Sequence, residues 1–258
     1  MTITLFYMLV ALLGLCLGSF INVVALRDRK RKSIVTGRSF CPHCKHTLGW
    51  YDLIPLVSYL IRKGKCGYCN KPISPRYPLI ELLMASLTVF AFWYGFIQRD
   101  NLVLASFLTA CFGMFLILSL IDFKTMEVPL EYVAVAGIFG SLAMVVSHTL
   151  TLILSIEGAL LGGGIIAVIL YGWRLVFHQD GMGEGDIWLA AAVGAVVGVP
   201  AVVVALMIAV MVGAVVGVVL LGFSKRGLKT AIPFGPFLFI GLLGALVWGH
   251  TILNWYTL

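Results

Sequence analysis

The chain consists mainly of long apolar runs separated by short polar turns. An apolar helix needs about 20 residues to cross the hydrocarbon core of a membrane, and eight runs reach or approach this length. They cover residues 3–26, 79–97, 102–121, 129–147, 150–172, 187–199, 201–222 and 232–253. The pattern therefore predicts an all-α polytopic membrane protein with about eight transmembrane helices.

The apolar run over residues 187–222 has 36 residues, too many for one crossing and few for two. Basic residues decide between these alternatives, because they concentrate on the cytoplasmic side of membrane proteins. A break near residues 198–200 puts 17 of the 18 lysines and arginines on one side and only Arg99 on the other. We therefore predict a short sixth helix and a chain with both termini outside the cytoplasm.

Composition supports the membrane assignment. Of the 258 residues, 61% are hydrophobic and only 11% are charged, whereas a soluble domain has roughly 25% charged residues. A soluble core of this size could not bury so much apolar surface. The lipid bilayer must therefore cover much of it.

A polar insert at residues 27–78 interrupts the apolar pattern and contains 12 of the 18 basic residues. Such a charge excess is typical of a cytoplasmic loop that faces anionic lipid. Nucleic-acid binding is not expected of a loop held between two spans. We divide the chain into a first transmembrane helix (1–26), a basic cytoplasmic insert (27–78) and a seven-helix membrane domain (79–258).

The insert contains two C-x2-C pairs separated by 21 residues, formed by Cys41, Cys44, Cys66 and Cys69. This spacing is typical of four thiolates that bind one tetrahedral zinc ion. Two disulfides are the alternative, which a reducing cytoplasm disfavours. Zinc would be structural here, since so short a polar loop has little apolar core. Two further cysteines lie inside predicted helices and are expected in the core: Cys16 and Cys111.

Two carboxylates, Asp122 and Asp186, lie 64 residues apart but at the same predicted side of the membrane. A facing pair of carboxylates can share one proton, so that one activates water and the other protonates the scissile carbonyl. This chemistry hydrolyses an amide without a catalytic metal or a nucleophilic side chain. Gly183 and Gly185, just before Asp186, would allow another backbone to approach closely.

Each aspartate also has a purely structural interpretation. Asp186 could be the N-cap of its helix, and Asp122 could pair with Lys124. A proton-relay transporter would also place acids within spans, although we find no internal repeat. Other acids in spans or turns are candidates for ion pairs or substrate contacts: Glu81, Glu127, Glu157 and Glu184.

Several motifs, in order and spacing, resemble those of the bacterial type IV prepilin peptidases, a family of aspartic proteases with a Gly-x-Gly-Asp signature. The resemblance covers nearly the whole chain. Its motifs are residues 18–24 (GSFINVV), the two cysteine pairs, 50–59 (WYDLIPLVSY), 64–66 (GKC), 73–82 (ISPRYPLIEL), 121–122 (ID), 181–186 (GMGEGD) and 232–236 (IPFGP).

The resemblance implies a bacterial inner-membrane protease in which Asp122 and Asp186 form the catalytic pair. It implies precursors with a short basic leader, then a glycine, then an apolar helix, and cleavage after that glycine at the cytoplasmic face. Many members also methylate the new N-terminal amine with S-adenosylmethionine, and Gly64 matches a glycine that the family links to this activity. Among the acidic candidates, Glu81, Glu127 and Glu184 could contact the precursor. An enzyme that only methylates, with structural aspartates, is a further hypothesis.

Overall fold

The computed structural model describes residues 3–27, 38–178, 183–223 and 232–256. Within these ranges the chain is helical, and its only β pairings are two isolated bridges in the insert. The helices are α1 (Ile3–Arg27), α2 (Val57–Ile61), α3 (Arg76–Phe92), α4 (Leu102–Thr125), α5 (Leu130–Val146), α6 (Leu152–Phe177), α7 (Gly185–Val197), α8 (Ala201–Phe223) and α9 (Gly235–Tyr256). A 3-10 turn (Trp50–Leu53) precedes α2, and a π-helical turn (Trp93–Ile97) extends α3.

The all-helical membrane fold is confirmed, since every predicted apolar run has a helix at its place. Among the described residues, five helices are long and apolar enough to cross a membrane, and three are apolar but shorter. The number of eight crossings therefore stays a prediction. The shorter helices cover Leu130–Val146, Gly185–Val197 and Gly235–Gly249.

The long apolar run breaks where the charge argument predicted. Helix α7 ends at Val197, and α8 begins at Ala201. Between them, Gly198 has a φ of +70°, a backbone conformation that residues other than glycine rarely adopt. The run consequently forms two helices rather than one.

The helices fall into two compact units, Met1–Asp100 and Asn101–Leu258. In the first unit, α1 packs along α3. A Cβ atom on Gly14 would lie 2.5 Å from the Cα of Ala85, and one on Gly18 would lie 2.6 Å from the Cα of Glu81. The two backbones can approach this closely only because both positions are glycine. The compact units group α3 with α1, and the division at residues 26 and 78 stays a prediction.

In the second unit, α5 and α9 each pack against both α4 and α7. They thereby hold the two helices that carry the aspartates. Helix α6 packs tightly on α7, because Gly162 lies against Ala190, where a Cβ would be 2.6 Å from the carbonyl oxygen. Gly162 and Gly163 of the glycine run thus serve helix packing, whereas a Cβ on Gly164 would meet nothing within 4 Å.

The two cysteines outside the insert have different environments. Cys111 lies in the core of the second unit, as expected. The prediction for Cys16 was wrong, because this residue is exposed on α1. Helix α1 packs on α3 through its Gly14–Gly18 side, and Cys16 is not buried in that contact.

Candidate active site and metal centre

Asp122 lies in the last turn of α4 and is only 4% exposed. Helix α4 continues to Thr125, one turn beyond its predicted end, and closes at Met126, which has a φ of +56°. The Oδ2 atom of Asp122 accepts a hydrogen bond from the backbone N–H of Gly235 over 2.8 Å. Gly235 is the first residue of α9, so the start of one helix fixes a carboxylate at the end of another.

Asp186 is the second residue of α7 and is 7% exposed. The N-cap of this helix is Glu184, so the interpretation of Asp186 as the N-cap is wrong. The backbone N–H of Asp186 donates a hydrogen bond to the carbonyl of Gly183 over 3.1 Å. A buried carboxyl group that is not needed to cap a helix is available for chemistry.

The structure brings the two aspartates together. The helix that carries Asp122 and the helix that carries Asp186 both lie against the first residue of α9, Gly235. Gly235 lies between the elements that carry them: a Cβ there would be 2.8 Å from Oδ2 of Asp122 and 3.2 Å from Cδ2 of Leu189. Leu189 lies one helical turn beyond Asp186. Sequence reasoning gave Gly235 no role, although the IPFGP motif contains it.

The glycine before Asp186 also permits a close approach. A Cβ on Gly185 would lie 2.6 Å from the Cβ of Val128, in the turn between α4 and α5. This turn can therefore lie directly against the start of α7. Gly183 has more room, since a Cβ there would meet only Oδ2 of Asp186 at 3.7 Å. The first glycine of the motif, Gly181, lies outside the described residues.

The acidic candidates for substrate contact have different surroundings. Glu127 is exposed just after α4. Glu184 is exposed and forms an ion pair with Arg174 at 3.0 Å. Glu81 is buried in the first unit, where Oε2 accepts a hydrogen bond from the backbone N–H of Leu56 over 2.8 Å. Through this hydrogen bond Glu81, a residue of α3, holds the insert in place.

The four cysteines of the insert form one cluster, in which the sulfur atoms all lie within 4.8 Å of one another. The Cys41 and Cys69 sulfurs are 3.9 Å apart. Zinc–sulfur bonds of about 2.3 Å in a tetrahedron place sulfurs about 3.8 Å apart, whereas a disulfide needs about 2.05 Å. The cysteines are not disulfide-bonded, and their arrangement is compatible with zinc.

Each cysteine pair lies in a tight turn of the same form. The N–H of Cys41 donates to the carbonyl of His46 over 3.0 Å, and the N–H of Cys66 donates to the carbonyl of Lys71 over 2.9 Å. Isolated bridges, Phe40 with Thr47 and Lys65 with Pro72, close the two turns. The repeated geometry explains how two distant pairs present four sulfurs to one point.

The pKa values of the clustered thiols separate. Burial opposes ionisation of Cys41, but hydrogen bonds from the amides of Cys44 and His43 outweigh it and lower the pKa to about 6. The amide of Lys71 favours ionisation of Cys69, but burial and the neighbouring thiols raise its pKa to about 11. One thiolate therefore forms readily and the last forms with difficulty until a cation is present.

Gly64 has a structural reason to be glycine. Its φ is +71°, and a Cβ would lie 2.9 Å from the hydroxyl oxygen of Tyr59. Its carbonyl accepts a hydrogen bond from the N–H of Ile73 over 2.7 Å. The residue that the resemblance links to methylation thus shapes the entry to the second cysteine turn.

A polar network that sequence reasoning missed holds the insert together. Asp52 is ion-paired with Arg62 and accepts hydrogen bonds from the Gly49 N–H over 2.9 Å and the Tyr68 hydroxyl over 3.2 Å. Hydrogen bonding to Tyr51, together with burial and Asp52, raises the pKa of Tyr68 to about 12. Tyr68 therefore stays protonated as a donor. The available signal was that Asp52 is the single acid of residues 38–75.

The comparisons with known proteins cover both units. Residues 12–95 match the model of the Bacterial Peptidase A24 N-terminal domain, and residues 109–218 match that of the Type IV leader peptidase family. A prepilin leader peptidase/N-methyltransferase of Legionella pneumophila is 32% identical over 97% of this chain and 94% of its own length. Proteins of the same name from Aeromonas hydrophila and Pseudomonas aeruginosa are 32% and 34% identical over 98% and 97% of this chain and 94% and 93% of their own lengths. The chain belongs to the type IV leader peptidase family.

Membership of the type IV leader peptidase family relates the two sites to the matched regions. Both aspartates lie within the region matched by the peptidase model, and the four cysteines lie within the region matched by the N-terminal model. Gly235, which binds Asp122, lies beyond both regions. No solved structure matches the chain at a significant level.

Proposed function

We propose that this chain is a prepilin leader peptidase that cleaves type IV pilin-like precursors after the leader glycine. The observation that carries the proposal is the pair of buried carboxyl groups, Asp122 and Asp186, on two helices that both lie against Gly235. The names of its relatives, prepilin leader peptidase/N-methyltransferase, support the same substrate class.

In the proposed mechanism the two aspartates share one proton. The ionised carboxylate removes a proton from a water molecule, which attacks the scissile carbonyl carbon. The protonated partner donates its proton to the carbonyl oxygen, giving a neutral tetrahedral intermediate. Collapse of that intermediate breaks the C–N bond, and the amine leaves after taking a proton from an aspartic acid group.

The surroundings of the pair suit this role. Burial favours a shared proton over two separate negative charges. The Gly235 N–H orients one oxygen of Asp122, which leaves the other oxygen for water. Positioning of this kind lowers the barrier because the carboxylate need not reorganise when the substrate binds.

We further propose that the enzyme methylates the new N-terminal amine. S-adenosylmethionine would supply the methyl group, in keeping with the N-methyltransferase names of the relatives. Cys41, Cys44, Cys66 and Cys69 would hold a structural zinc ion. The ion would keep the two cysteine turns of the insert in register.

The proposed orientation places the insert and both aspartates at the cytoplasmic face, with both termini outside. The excess of basic residues in 27–78 supports it. A precursor would then keep its basic leader in the cytoplasm while its apolar helix lies in the bilayer. Exposed Glu127 and Glu184 would be available to that leader.

The test uses purified full-length protein in detergent with a prepilin peptide, and mass spectrometry reports cleavage and methylation together. Asp122→Asn and Asp186→Asn should each lower cleavage by roughly 10²–10⁴-fold, the usual worth of a general acid or base. Both variants should still methylate a pre-cleaved peptide. Glu157→Gln, which changes an exposed acid of α6, is the matched control and should cleave normally.

Cleavage that survives both aspartate changes would rule out the protease proposal. Methylation without cleavage in the parent protein would favour the hypothesis of a methyltransferase alone. The transporter hypothesis has no observation in its favour among the described residues.

A further inference from the structure

The insert carries an apolar surface that is unusual for a loop outside the membrane spans. We call residues 50–61, the 3-10 turn through α2, the apolar segment. Trp50, Leu60 and Ile61 are 79%, 63% and 77% exposed. Four further large side chains of the segment are also exposed: Tyr51, Leu53, Ile54 and Val57. Val57 and Ile61 are four residues apart in α2 and therefore lie on one face of that helix. Exposed large apolar side chains concentrated in one short segment indicate an interaction site.

The apolar segment lies beside the first turns of α3, a candidate membrane-spanning helix. The N–H of Leu56 donates to Oε2 of Glu81 over 2.8 Å, and Glu81 lies in the second turn of α3. The five steps along the helix from Arg76 to Glu81 correspond to a rise of about 7.5 Å. Since Arg76–Ile97 is long and apolar enough to cross a membrane, the start of α2 lies beside the first turns of a span rather than above it.

Basic residues follow the apolar segment directly. Lys63 and Lys65 come just after Ile61 and are exposed. The single acid of residues 38–75 is Asp52, which Arg62 neutralises. An apolar face bordered by exposed lysines is complementary to a bilayer surface, with acyl chains below and anionic phosphates at the rim.

We propose that the apolar segment inserts into the boundary between lipid headgroups and acyl chains and anchors the tetracysteine insert to the membrane surface. Trp50 then lies at the membrane–water interface, where tryptophan side chains are enriched. Leu60 and Ile61 contact acyl chains. Lys63 and Lys65 contact the phosphates of anionic phospholipid. This contact with lipid is independent of the proposed peptidase and methyltransferase activities.

The experiment places the photoreactive amino acid p-benzoylphenylalanine at position 61 of the full chain. The protein is reconstituted in nanodiscs that contain phosphatidylglycerol, without any precursor, and intact mass is read after irradiation. We expect a phospholipid adduct in a fraction of molecules several times that found with the probe at His43, an exposed position in the first cysteine turn. A probe at Leu60 repeats the test if the Ile61 variant does not fold.

Cross-links from positions 60 and 61 only to other residues of the same chain would overturn the proposal, as would a lipid adduct equally frequent at His43. In a second arm, a prepilin peptide is added before irradiation. A peptide adduct that replaces the lipid adduct would identify the segment as a substrate groove and also overturn the proposal. Persistence of the lipid adduct with peptide present would support it, whether or not the peptide is cleaved.

Discussion

The tetracysteine insert and the aspartate pair each bring distant residues to one point, but by different means. The insert does so with two short turns of the same form, closed by local hydrogen bonds. The aspartate pair depends on the packing of separate helices, and the hydrogen bond between Gly235 and Asp122 joins residues 113 positions apart. The first site is locally encoded, and the second exists only after the helices have assembled.

This difference has consequences for stability. The insert has a polar network and few buried apolar side chains, so metal binding should supply much of its folding free energy. The second unit buries large side chains such as Phe112 and Phe115 against α9. Its site should tolerate loss of metal but not loss of close packing at glycine.

The largest expected effect is loss of zinc from the insert, a metal on which the aspartate site does not depend. Cys41→Ser should remove nearly all bound zinc, because three thiolates and a serine bind the ion far less tightly than four thiolates. Metal analysis of the purified protein gives the zinc content, and limited proteolysis reports unfolding of the insert. Cys16→Ser, at an exposed position on α1, should retain the ion. Equal zinc content in both variants would contradict the assignment.

The second prediction concerns the packing of the aspartate site. Gly235→Ala should lower kcat/KM for precursor cleavage by on the order of 10²-fold, because its Cβ would displace the Asp122 carboxylate by a fraction of an ångström or more. Steady-state cleavage assays provide the measurement. Gly249→Ala lies in the same helix, with its nearest contact at 3.6 Å, and should behave like the parent. Normal activity in Gly235→Ala would show that this contact does not position Asp122.

A third, smaller effect is expected at Gly185. The Cβ of Gly185→Ala would overlap Val128, and overpacking of this kind costs about 1–3 kcal/mol. The midpoint temperature of thermal unfolding and the rate of precursor cleavage should both fall. The double variant with Val128→Ala should recover part of the loss, because it removes the opposing methyl groups. Failure of the second change to help would mean that the contact with Val128 is not the cause.

The fourth prediction tests whether Gly64 is structural. A left-handed backbone costs a non-glycine residue about 1–2 kcal/mol, so Gly64→Ala should weaken zinc retention against a competing chelator. Gly172→Ala, at a position with nothing within 4 Å, should have no such effect. Lost methylation with zinc retention unchanged would instead indicate that Gly64 meets the methyl donor or the substrate directly.

The smallest expected effect concerns Glu184. Glu184→Gln should leave kcat unchanged and raise KM for a precursor with a basic leader by about twofold to fivefold, as expected for one exposed ion pair. Arg174→Gln removes the same intramolecular pair but keeps the acid, so its KM should not rise. Identical behaviour of the two variants would assign Glu184 to the contact with Arg174 alone.

Much of this architecture was predictable from local pattern. The apolar runs located the helices, and the charge distribution located the break near Gly198. The C-x2-C spacing selected the four clustered cysteines. The extra turn of α4 was missed because a polar residue at position 122 marks the end of an apolar run without ending a helix. Cys16 was misplaced because α1 is apolar on all sides, so its sequence does not distinguish the lipid from the protein interior.

The sequence by itself determined where the helices lie, which four thiols cluster and which two acids merit attention, since hydropathy, charge and short spacings are properties of a local window. Only the tertiary structure decided that Gly235 holds Asp122, that Val128 lies against Gly185 and that Glu81 binds the insert. Each of these contacts depends on the distance between helices, which is set by side-chain volumes on both surfaces at once. A glycine can therefore be essential at one position and replaceable at another. The sequence alone does not distinguish the two cases, because both read as glycine.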